Sequence, residues 1–62
     1  MFKENVAIEV LGSDNIWRRM KTGVINNSQI ITSTLNGEKK VHPNSRVRAV
    51  GQNSNQLIDM LM

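Results

Sequence analysis

The stretch Ser28-Gln29-Ile30-Ile31-Thr32-Ser33-Thr34-Leu35-Asn36-Gly37-Glu38-Lys39-Lys40-Val41-His42 decides how the chain is read. Period-two alternation puts Ile31 and Leu35 on one face and Ile30, Thr32 and Thr34 on the other, so residues 28–35 read as a strand. Asn36-Gly37 is the strongest hairpin signal in the chain, because both residues accept the positive φ of a tight turn. It leads into a second strand over 38–42. A two-residue turn would leave Val41 opposite Thr32, whereas a bulge at Gly37 sets it opposite Ile31. The bulge is preferred, since it buries the one apolar residue of that strand.

Working back toward the N-terminus, Asn26-Asn27 forms a two-residue turn joining 28–35 to a strand over 16–25. That register faces Ile25 with Ser28, Val24 with Gln29, Met20 with Ser33 and Arg18 with Leu35. One face then gathers Ile16, Met20, Val24, Ile31 and Leu35 as core. The other gathers Trp17, Arg19, Lys21, Ile30, Thr32 and Thr34 as surface. An earlier strand, 5–11, alternates Val6, Ile8 and Val10 with Ala7, Glu9 and Leu11, and ends at Gly12-Ser13-Asp14-Asn15. After the Pro43-Asn44 turn a last strand, 46–50, sets Val47 and Ala49 on one face and Arg46, Arg48 and Val50 on the other. Beyond Gly51, Asn53 reads as a cap with Gln56 three residues on, and Leu57, Ile58 and Leu61 share a helical stripe. This predicts a short helix over 54–62 that docks on its own domain or on a second copy.

Five short strands joined by tight turns, followed by a helical turn, imply an all-β fold: one small, mostly antiparallel sheet bent into a barrel. Over Asn5 to Val50 the strand count and turn spacing resemble the small SH3-like barrels, the KOW and Tudor modules and more distantly the Sm-like proteins. The resemblance implies that loops and one sheet face bind nucleic acid or protein tails. No residue role is carried over from it.

Charge is distributed unevenly. The net charge is +3, yet the segment from Ile16 to Val50 holds Arg18, Arg19, Lys21, Lys39, Lys40, Arg46 and Arg48 against Glu38 alone. Such a basic middle suits a nucleic acid or an acidic protein partner. Trp17 is the only Trp and there is no Tyr. An indole beside cations offers base stacking worth about 1 to 3 kcal/mol. The candidate nucleic-acid-binding residues are therefore Trp17, Arg19, Lys21, Lys39, Lys40, Arg46 and Arg48. Alternative roles are a core or rim residue for Trp17, its ring covering apolar neighbours such as Ile30, and edge protection for Lys39-Lys40.

Other chemistry is excluded by what the chain lacks. With no cysteine, disulfides and thiolate zinc sites are ruled out, and the single histidine, His42, has no ligand partners at recognisable spacing. No catalytic constellation, metal site or cofactor fingerprint is present, so no enzyme is expected. The N-terminal residues form neither a signal peptide nor a membrane span, which points to a cytoplasmic protein with no membrane partner. A small accessory protein that binds single-stranded or non-specific nucleic acid fits best, of a size found in phages and plasmids. The alternatives are an adaptor or inhibitor that meets an acidic protein, or a subunit of a larger assembly, self-associating through Leu57, Ile58 and Leu61.

Overall fold

A computed structural model describes residues 4–61, so Met1 to Lys3 and Met62 lie outside the described residues. Four strands and one helix follow in the order β1 (Val6–Leu11), β2 (Trp17–Val24), α1 (Ser28–Val41), β3 (Val47–Gly51) and β4 (Leu57–Leu61). The sheet order is β2-β1-β3-β4, and every neighbouring pair is antiparallel. β2 and β3 therefore run parallel on either side of β1, and α1 carries the chain over one face of the sheet between them. The sheet is open. It is not the closed five-stranded barrel that the turn spacing predicts.

The difference lies in residues 28–42. Ile31 and Leu35 are four apart, a spacing that repeats on one face of a strand and also on one face of a helix. The local pattern does not choose between them. What chooses is the sheet: Val6, Ile8, Val10, Val47 and Ala49 form an apolar surface, and Ile31 and Leu35 complete the core over it. Asn27 starts the helix by accepting from the backbone N–H groups of Gln29 (2.9 Å) and Ile30 (3.2 Å). Lys39 and Lys40 in the last turn complement the negative end of the dipole. Asn36 and Gly37 are exposed helical residues, and the glycine costs α1 about 1 kcal/mol against alanine. The expected strands 28–35 and 38–42 are thus one helix.

The second correction falls on the C-terminal segment, where a helix was expected over 54–62 and β4 is found. Its first residues are a turn: the Gly51 N–H donates to the Gln56 carbonyl at 2.8 Å, the Asn55 N–H to the Gly51 carbonyl at 2.9 Å, and Asn55 takes φ 60°. Glu4 fastens that turn, its carboxylate accepting from the N–H groups of Asn53 (2.7 Å) and Ser54 (2.9 Å). β4 then pairs Val47 with Leu61, Arg48 with Met60, Ala49 with Asp59 and Val50 with Leu57. A helix this short gains little alone, whereas a strand satisfies the open edge of β3.

Elsewhere the expected strands hold within a residue or two. Gly12 to Asn15 make the β1–β2 turn, with Asn15 at φ 64°. Val47 and Ala49 face the core, while Arg48 and Val50 lie on the opposite face. Met20 and Ile16, expected in the core, are exposed instead, because the strand they were to pair with is helical and α1 packs on β1, β3 and β4.

Candidate nucleic-acid interface

The face away from α1 carries the other alternating set. Across β2, β1 and β3, Trp17 pairs with Leu11, whose N–H donates to the Arg46 carbonyl at 2.9 Å. One step along, Arg19 pairs with Glu9, Glu9 with Arg48, and Arg48 with Met60. Trp17, Arg19, Arg46 and Arg48 thus occupy two adjacent rows on one bare face.

Glu9 organises these rows. Its carboxylate accepts from Arg19 Nε at 3.0 Å and from Arg48 Nε at 2.8 Å, with Arg48 Nη2 at 2.7 Å. Burial alone would raise the Glu9 pKa, but the hydrogen bonds and charges of Arg48 and Arg19 outweigh it and hold the carboxyl below its ordinary value. Arg19 extends further, donating through Nη1 to the Gln52 carbonyl at 3.0 Å and through Nη2 to Asn55 Oδ1. The Arg48 guanidinium carbon sits 4.1 Å from the centroid of the Trp17 ring. The guanidinium lies over the indole and covers one face of the ring, and both side chains are half-buried. Two guanidiniums against one carboxylate leave this row positive, and Arg46 has no carboxylate partner among the described residues.

The remaining candidates sit apart. β2 contains two irregularities opposite β1, one on each side of the Ile8–Lys21 pair, and Gly23 at φ 67° lies in the second. They break the alternation, so Lys21 pairs with Ile8 on the α1 side rather than sharing the face of Trp17 and Arg19. Lys39 is committed to the loop after α1, its Nζ donating to the Ser45 carbonyl at 2.6 Å. Lys40 is exposed on α1, remote in register from the bare face. Arg18, not among the candidates, is held by Asp14 at 2.7 Å, and this pair with the Ile16 N–H lowers the Asp14 pKa to about 2.

Sequence reasoning missed Glu9. The signal was present: a single acid in the otherwise apolar run from Val6 to Leu11 must find cations if that strand is central. Among the described residues no group of three or more His, Asp or Glu is placed to hold a metal ion, and no helix is long and apolar enough to cross a membrane. Comparison of the chain with protein-family models, with curated proteins and with solved structures finds no match.

Proposed function

We propose that the bare face of the sheet binds single-stranded nucleic acid. The observation that carries this reading is the Trp17–Arg48 platform, fixed from behind by Glu9 and flanked by Arg19 and Arg46. A base stacks on the side of this cation–indole pair that faces solvent whatever its identity, and Arg46, with the part of Arg48 that Glu9 leaves free, meets the phosphates, so little sequence preference is expected. Trp17 is the only Trp, and its fluorescence reports directly on the site. Titration with a single-stranded oligonucleotide at low salt should quench it. If two or three phosphates are met, log K falls against log salt with a slope of about −1.5 to −2. Absence of binding at low salt overturns the proposal.

A second reading rests on β4. Leu57 and Ile58 are 53% and 40% exposed beside the free strand edge, which favours pairing of β4 with a second copy. Asp59 opposes this, since its carboxylate accepts from the Met60 N–H at 2.8 Å. Concentration-dependent sedimentation that Ile58→Lys abolishes would support the contact, and a monomer at every concentration would exclude it.

A further inference from the structure

At one end of the sheet the β1–β2 turn and the α1–β3 loop face each other across a cleft. Its walls are Gly12, Ser13 and Asn15 from the turn and Asn44 and Ser45 from the loop, with Leu11 and Arg46 completing the lining. These residues carry two hydroxyls, two carboxamides and one guanidinium, groups able to donate to an anion. Among the described residues no carboxylate side chain is part of its lining. Asp14, whose Oδ1 lies against Gly12, is already paired with Arg18 in a two-pronged contact at 2.7 and 3.1 Å. Lys39 binds the Ser45 carbonyl at 2.6 Å, which fixes the loop wall and adds positive charge next to it. Donors and cations whose nearest acid is already neutralised by its own arginine are the chemistry of an anion site.

Position says which anion. Leu11 lies between Trp17, its partner on β2, and Arg46, whose carbonyl its own N–H bonds. Two strand spacings separate Trp17 from Arg46, about 10 Å across the sheet. The cleft therefore adjoins the stacking platform. We infer that it is a phosphate subsite, holding the phosphate of a nucleotide whose base lies on Trp17. This rests on the nucleic-acid reading of the bare face and deepens it, because the smallest ligand then becomes a nucleoside monophosphate rather than a length of polyanion.

Two titrations of the full chain test the inference, both followed by backbone amide NMR and by Trp17 fluorescence at millimolar ligand. Inorganic phosphate should move the amides of Ser13, Asn15, Asn44, Ser45 and Arg46 in a saturating way while those of Lys21 and Lys40 stay still. A nucleoside monophosphate should bind about tenfold tighter than its nucleoside, the gain of one charge-assisted contact. Arg46→Gln leaves the backbone bond to Leu11 in place and should erase both the phosphate shifts and the tenfold advantage. Phosphate shifts spread evenly over all the basic residues, or an advantage that survives Arg46→Gln, would overturn the subsite. If the oligonucleotide still quenches Trp17 in that case, the bare-face reading stands without the cleft. If the oligonucleotide fails as well, both fall.

Discussion

The two faces of the sheet are built from the same strands and differ by one residue step. Under α1, Val6, Ile8, Val10, Val47 and Ala49 meet Ile31 and Leu35, and every one of these side chains is buried and apolar. On the other face the same strands present Leu11, Glu9 and Arg48, joined by Trp17 and Arg19 from β2. That face is not simply solvated at its centre: Ala7, Val50 and Glu9 are 0%, 2% and 7% exposed. One face is covered by a helix; the other has no helix or strand packed on it, and there the turn after β3 reaches β2 through Gln52 and Asn55 while Glu9 holds Arg19 and Arg48 in register. The difference teaches where each kind of residue is spent. Dispersion and apolar burial hold the fold from one side, while directional ion pairs keep cations and an indole in a fixed array on the other.

The comparison breaks most sharply at Leu35, which is 1% exposed. Leu35→Ala should cost about 2 to 5 kcal/mol, against a total of roughly 3 to 9 kcal/mol for a chain this long. The expected result is loss of a cooperative thermal transition. A melt close to wild type would mean that α1 does not close that face.

On the bare face the corresponding test is Glu9→Gln, expected to cost about 1 to 3 kcal/mol because the two arginines lose a charged acceptor but keep access to water. The pH dependence fixes the sign. Glu9 has a lowered pKa in the folded chain, so its contribution is complete above the ordinary value of 4.5 and fades as pH falls through the lowered one. The stability gap between wild type and Glu9→Gln should therefore narrow in acid, as read by denaturant melts from pH 7 to pH 3. A gap that widens would contradict the ion-pair account. Trp17→Ala comes next. Half-buried and stacked on Arg48, it should lose about 1 to 2 kcal/mol of stability and about 1 to 3 kcal/mol of oligonucleotide affinity. A full collapse of the melting point would move Trp17 to the structural side of the comparison.

How much of this was legible in the sequence follows from which rule governs each segment. β1 and β3 alternate so strictly that their faces follow from period two alone, which sets Arg46 and Arg48 on a shared face, and on β2 the alternation holds from Trp17 to Arg19 and fails beyond it. Lys21 was misplaced because bulges leave no mark in the alternation except Gly23, whose positive φ is one solution among several. Residues 28–41 were misread because Ile31 and Leu35 satisfy both periods, and the deciding term is a long-range one: an apolar sheet face needing cover. Leu57 to Leu61 failed for the same reason, since the unpaired edge of β3 is invisible to local pattern. Glu9 was read as the polar half of an alternation, when its importance comes from lying in register between two arginines.

The smallest effect tests the least local of these corrections. Gly37 sits on the outer side of α1, an added Cβ there would meet nothing within 4 Å, and Gly23 is the glycine with left-handed φ. Gly37→Ala should thus stabilise the chain by about 1 kcal/mol through helix propensity and reduced freedom of the unfolded state. For a domain of this size that is a rise of about 4 to 8 °C in melting temperature. Because the residue touches neither face of the sheet, oligonucleotide affinity should not change. The opposite outcome is equally informative: in a tight hairpin turn, alanine at position 37 would be forced into positive φ and the melting temperature would drop. A drop would restore the strand-turn-strand reading of 28–42 and remove the helix that makes the two faces different.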